Sequence, residues 1–368
     1  MVHRLSILVI LLALLAACGG QPATGAPTNM PAATNISAAT SVPAPTTAPT
    51  SVPADSAAFR DTITHDRGTI TLERPAERIV VFSEEFTEIM IALDLAPVGV
   101  ALWRNEPTGD TFTQLPYLDQ PIPGQPRYID GNTPNLEVIA ALRPDLIVYH
   151  DYGGEAGDTL YASLGQIAPT VAYSGGEVGG WKRAIQGIAQ AADRVPQAEQ
   201  IIAAYDARVT ALTAEMAPIV QQAPVVTLLL SGIDFVGVFD ARFAIGGLMQ
   251  TLGFRLAVPE GTVMDESGYA AISAEILSAI EADSVVTMRF EAEKAHLADP
   301  ILSTLNVPIL TTEIYEGMGY TGPFAEVIHL EGFAQAFRDH YLVAASTPAT
   351  TRTVTDDLGR TVTIPANP

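Results

Sequence analysis

Two α/β lobes flanking one long α-helix is the fold class the sequence predicts, on three observations. Short apolar runs alternate with helical patterns in both halves of the chain, the pattern of sheets with crossover helices. From Pro196 to about Val220 the apolar residues keep to one side of a helix too long for an ordinary crossover. The chain has 368 residues, 48% of them hydrophobic, enough for two buried cores.

In chain order, the first segment is MVHRLSILVILLALLAACGG: a basic start, an apolar run from Leu5 to Ala17, then Cys18. It reads as a secretory signal, too short to span a bilayer comfortably. Leu15-Ala16-Ala17-Cys18 resembles a bacterial lipobox, which implies cleavage after residue 17 and lipidation of Cys18. An ordinary secretory signal with an incidental cysteine is the alternative. Cys18 is the only cysteine, so an internal disulfide is excluded. Residues 18–57 are dominated by Pro, Ala, Thr and Ser, with little to bury, and are expected to be a disordered linker. Acyl chains on Cys18 would make the protein a tethered, otherwise soluble one on the extracytoplasmic side.

The first lobe is expected over residues 58–195. TITHDRGTITLERP reads as a strand pair turned at Asp66-Arg67-Gly68, RIVVF as a buried strand, TEIMIALDL as a helix and PVGVA as a strand. NLEVIAALRP repeats the helical pattern up to Pro144; DLIVYH and IAPTVAY are strands, and Gly180 to Arg194 is a helix. The connecting helix is placed at 196–222. Ile201, Tyr205, Val209, Leu212, Met216 and Ile219 form its apolar side, over roughly 36 Å. The second lobe, 223–346, runs through VVTLLLS, FAIGGLMQTLGF, ISAEILSAIEADSVVTMRF and VPILTT to a closing helix around PFAEVIHLEGFAQAFRDHYL. In the tail, 347–368, TRTVTDDLGRTVTIPANP resembles Asp61 to Arg78, as though a second copy of the body were starting; a chance Asp-Gly turn between Thr/Val strands is the alternative.

Nineteen basic residues against forty-one acidic ones give a net charge of −22, which argues against nucleic acid or anionic lipid as partners. A Gly-x-Ser-x-Gly elbow, a phosphate loop and a His-Glu-x-x-His motif are all missing from the sequence, so it is read as a non-enzyme. A carboxylate-dependent hydrolase using Glu84, Glu85 or Asp151 stays open as the lesser reading.

RPAERIVVFSEEFTEIMIALDLAPVGV, GNTPNLEVIAALRPDLIVY, ARFAIGGLMQTLGF, ISAEILSAIEADSVVTM and the Gly322-Pro323 helix start together resemble the substrate-binding lipoproteins of ABC importers for ferric siderophores, haem or cobalamin. The resemblance covers roughly Phe59 to Leu342, and NLEVIAALRPDLIVY is its most specific part. It implies two Rossmann-like lobes joined by one long rigid helix, with a ligand cleft between them and no resident cofactor. A ferric siderophore is the expected ligand; haem or cobalamin is the alternative, with Tyr149, His150 or Tyr315 available as haem axial ligands. The implied partner is a membrane permease dimer, docked by Glu137 and Glu275 at the first turns of matching helices, one in each lobe. For both glutamates the alternative is an acid favouring a helix N-terminus.

Ligands of parallel α/β lobes meet the carboxyl ends of strands. That rule selects Glu84, Glu85 and Phe86 after the first buried strand, Trp103 and Arg104 after PVGVA, and Tyr149, His150 and Tyr152 after DLIV. In the second lobe it selects Arg289 and Phe290, and the loop IYEGMGYTGP adds Tyr315 and Tyr320. Local packing is the alternative for each. Direct metal ligation is not expected, because the six histidines form no evident set and a chelated iron arrives with its coordination largely filled. The acidic body speaks against a strongly anionic catecholate guest unless Arg104, Arg127, Arg242 or Arg289 line the cleft.

Overall fold

The computed structural model describes residues 59–102, 114, 115, 117–290, 294–313, 321–342, 351–355 and 361–365. Signal, lipidation site and linker lie outside them. β1 (Asp61–His65) and β2 (Gly68–Leu72) form an antiparallel hairpin whose turn is closed by Gly68 at φ 133°, a region that suits glycine.

The first lobe is a five-stranded, wholly parallel sheet in the order β5-β4-β3-β6-β7, built from β3 (Ile79–Phe82), β4 (Gly99–Leu102), β5 (Arg127–Asp130), β6 (Leu146–His150) and β7 (Thr170–Tyr173). All four residues of β3, β4 and β7 are buried, which is why they read as apolar runs without alternation. The crossovers carry α1 (Glu84–Ala92), α2 (Leu136–Ala141) and α3 (Gly154–Leu164), and α4 (Trp181–Ala191) follows β7. α1 starts three residues before the expected Thr87. Ser83 accepts a hydrogen bond from the Phe86 N–H at 3.2 Å, and two acids occupy the first turn, so Glu84 to Phe86 are helical rather than loop.

α5 (Val195–Gln222) is the connecting helix, unbroken over 28 residues, a rise of about 42 Å. Tyr205, in its first half, meets Trp181 of α4 edge-on at 5.2 Å, and Leu212, Met216 and Ile219 in its second half enter the second lobe's core. One rod thus belongs to both cores.

In the second lobe the sheet is parallel apart from one reversed strand. β8 (Val225–Ser231), β12 (Ser284–Arg289) and β13 (Ile309–Glu313) are parallel; β9 (Val236–Phe239) runs antiparallel to β8, β11 (Tyr269–Ile272) is antiparallel to β9 and so shares the direction of β8, and β10 (Arg255–Leu256) pairs in parallel with the start of β8. The reason is the tight turn after Ser231, where the Gly232 N–H donates to the Phe235 carbonyl at 3.0 Å and sends β9 back along β8. α6 (Ala244–Thr251) and α8 (Ala325–Phe337) cover one face, and α7 (Asp299–Leu302) belongs to the other. ISAEILSAI yields only a 3-10 helix, Ala274–Ala279, whose buried residues Ala274 and Leu277 stand three apart, the repeat of a 3-10 turn. Beyond a π turn at Arg338–Leu342, β14 (Thr351–Thr355) and β15 (Thr361–Pro365) pair as an antiparallel hairpin of five-residue strands, as β1 and β2 do.

Candidate functional site

A cavity of about 550 Å³ opens between the lobes. The first lobe lines it with Ser83 to Glu85, His150 to Tyr152 and Gly175 to Gly176, which follow β3, β6 and β7. The second lobe contributes Arg242 to Ala244, Ser267 and Thr321. The carboxyl edge of the first parallel sheet therefore faces the second lobe, as the topology requires.

Strand alternation sorts the aromatic cluster at the end of β6. Tyr149 turns into the first lobe's core, 1% exposed and edge-on to Phe82 at 5.8 Å. His150 turns to the cleft, where Tyr152 stacks on it at 4.2 Å. Its Nε2 lies 3.7 Å from Glu85 Oε2, and its buried Nδ1 has no hydrogen-bond partner among the described residues. Phe86 is fully buried behind His150, 5.6 Å from it, so it backs the site and does not reach the guest space. Gly175 permits this crowding: a Cβ there would stand 2.7 Å from His150 Nε2 and 2.8 Å from Glu85 Oε2.

Ser83 holds φ 136° at the turn from β3 into α1, a strained setting for a residue with a side chain. It aims the acids of α1 at the other lobe. Glu85 accepts a hydrogen bond from the Thr321 hydroxyl at 3.0 Å. One turn on, Glu88 is wholly buried; it accepts from the Tyr117 hydroxyl at 2.6 Å and from the Phe324 and Ala325 N–H groups at 2.8 and 3.0 Å, so a first-lobe side chain caps α8. Glu326 of α8 reciprocates. It accepts from the Gly179 N–H at 2.9 Å, from Trp181 Nε1 at 3.2 Å and from the Tyr205 hydroxyl. Burial pushes Glu88 up to about 8 and Glu326 up to about 7, against their hydrogen bonds, with repulsion from Glu85 adding to both.

The hairpin turn supports the rim. Arg67 donates to both carboxylate oxygens of Asp151 at 2.6 Å and to Asp158 at 2.7 Å, holding Asp151 well below the usual carboxylate range. Asp66 accepts from the backbone and hydroxyl of Ser174 at 2.7 and 2.6 Å. Arg242 is folded onto Asp240, with contacts of 2.6 to 3.2 Å from Nε and one terminal nitrogen.

Of the positions selected from the sequence, Glu84, Glu85, His150 and Tyr152 come together in the cleft. Tyr149 borders instead a larger, more open cavity of about 1360 Å³ within the first lobe, which meets the cleft at Glu84 and Tyr152. Arg289 and Phe290 do not line the cleft among the described residues. Arg289 is tied to Asp299 at 2.9 and 3.1 Å and to the Lys294 carbonyl at 3.0 Å, and Phe290 packs on the second lobe's core near Phe235. Trp103, Arg104, Tyr315, Tyr320 and Cys18 lie outside the described residues. Glu137 is exposed in the first turn of α2; Glu275 is exposed in the first turn of a 3-10 helix, not of a matching α-helix. Among the described residues no three His, Cys, Asp or Glu side chains gather as a metal centre, and no helix is long and apolar enough to cross a membrane.

Sequence reasoning did not select Glu88, Glu326, Arg67 or Thr321. A glycine pair was the available signal for part of this: Gly175-Gly176 stands one residue beyond a buried strand, the place where backbone approaches a site closely.

The profile of the family described as Periplasmic binding protein matches residues 79–305, more than half of the chain. The probable siderophore-binding lipoprotein YfiY of Bacillus subtilis is 29% identical over 242 residues, 64% of this chain and 70% of that protein. The Fe(3+) dicitrate-binding periplasmic protein FecB of Escherichia coli is 36% identical over 116 residues, which span 32% of this chain and 36% of FecB. Among solved structures, Staphylococcus aureus SirA complexed with staphyloferrin B matches with a TM-score of 0.58 at 19% identity, over 76% of this chain and 98% of SirA. At that identity the likeness is one of fold.

Proposed function

Because the chain belongs to the periplasmic binding protein family, we propose that it is the extracytoplasmic solute-binding component of an ABC importer, and that its solute is a ferric siderophore held between the lobes. It binds and delivers; it is not an enzyme. The observation that carries this reading is the 550 Å³ space lined from both lobes, a volume in the ordinary range for a small-molecule site. His150, Tyr152 and Phe243 offer flat faces to a chelate, and Glu85, Ser267 and Thr321 offer polar groups that fix its orientation. Protein ligation of the metal is unnecessary, since the chelator fills the coordination sphere.

The cleft is largely pre-formed. α5 enters both cores, and Glu88 and Glu326 tie each lobe to the other, so a wide hinge opening would strip buried hydrogen bonds. Glu137 and Glu275, one exposed on each lobe, are assigned to orienting the protein on the permease, and Cys18 to the lipid tether.

Binding and uptake measured side by side test this. Saturable binding of a ferric siderophore is expected, with Glu137→Ala plus Glu275→Ala leaving affinity unchanged and lowering cellular uptake severalfold. Binding of haem or cobalamin in place of every ferric chelate would overturn the choice of solute.

A further inference from the structure

The charge of the guest follows from which cations near the cleft are already engaged, given the ferric-chelate reading above. Arg242 reaches the cavity but is folded onto Asp240. Arg289 is held by Asp299. Arg127 opens β5, at the amino edge of a sheet whose carboxyl edge faces the cleft. Arg67 lies near Asp151 and is shared between that carboxylate and Asp158.

Glu85 is different. Its partners are a neutral hydroxyl, Thr321, and His150 Nε2 at 3.7 Å; no lysine or arginine among the described residues sits on it. Its side chain is only 6% exposed and borders the space between the lobes. Each of these arginines brings its own carboxylate with it, Asp240 beside Arg242 and Asp299 beside Arg289, so among the described residues the pairs add no net positive charge for an anionic guest.

The chemistry of ferric chelates divides along this line. Three hydroxamates, each singly negative, cancel Fe3+ and leave a neutral complex; three catecholates, each doubly negative, leave a trianion. We propose that this cleft selects a neutral or cationic ferric chelate of the hydroxamate kind, with a positively charged or hydrogen-bond-donating arm received by Glu85, and disfavours tris-catecholate anions.

Three probes separate the outcomes in direct titrations of the full chain: ferric desferrioxamine B, which carries a terminal ammonium; its N-acetylated ferric form, neutral and nearly the same shape; and ferric enterobactin, the trianion. A charge-assisted contact predicts that the ammonium form binds about tenfold more tightly than the acetylated form, with enterobactin weakest. The advantage of the ammonium form should shrink as salt is raised, a readout that needs no variant. In Glu85→Gln the two hydroxamates should bind alike. Tightest binding by enterobactin, or equal binding of the two hydroxamates at low salt, overturns the charge assignment and leaves the siderophore reading standing. Failure of all three to bind, in protein that melts cooperatively, removes that reading and this assignment together.

Discussion

Glu88 has no contact with water, yet its carboxyl accepts two backbone N–H groups of the opposite lobe and one phenol. Removing it in Glu88→Ala strands those donors and opens a hole, so urea unfolding should show a loss of about 3 kcal/mol or more. Glu88→Gln should be mild, because the amide mimics the protonated acid: its oxygen accepts from Phe324 and Ala325, and its nitrogen donates to Tyr117. The pH dependence has a definite sign. Burial lifts the folded acid to about 8 from an ordinary 4.5, so the folded state holds a proton that the unfolded state has released. Stability from this group is complete below pH 4.5 and falls as pH rises toward 8, with Glu326 adding a similar decline toward 7. Unfolding free energies across that window should decline in the parent and decline less steeply in Glu88→Gln, where Glu326 alone remains; an unchanged slope would count against a protonated Glu88. Neither acid was legible in the sequence. A glutamate inside TEIMIALDL or PFAEVIHL looks like the solvated face of a helix, and only the packing of two lobes shows that it is enclosed.

Helix ends carry the strain among the elements. α2 ends at Ala141 with Leu142 as its C-cap, and Arg143 then adopts φ 48° before Pro144, which disfavours the ordinary helical conformation at that position. Arg78 donates to the Leu142 and Arg143 carbonyls at 2.5 and 3.0 Å, so the last turn is capped without help from the Arg143 side chain. Arg143→Gly should therefore raise stability by about 1 kcal/mol, read as a shift in the denaturation midpoint at unchanged slope. The long elements were legible: the one-sided apolar row of α5 and the continuous runs of β3, β6 and β8 need only local periodicity. β9 was missed, because VGVF is short and its partner is set by the turn at Gly232, not by its own pattern. In the site, strand ends selected Glu84, Glu85, His150 and Tyr152, which border one cavity, while the Arg67–Asp151 pair joins residues 84 apart and left no local trace.

At the scale of the molecule, two lobes that share a helix and exchange buried acceptors are expected to melt as one. Scanning calorimetry near pH 5 should give a single peak whose calorimetric and van't Hoff enthalpies agree; two resolved peaks would mean that the lobes are energetically independent. The acceptor exchange also imposes an order of assembly. Phe324, whose N–H needs Glu88, follows it by 236 residues. A chain emerging from its amino end presents the first half long before the helix start that completes it, and until then that acid stands in water, charged like any other. The seam between the halves closes only after the 236 residues that separate its two sides are out.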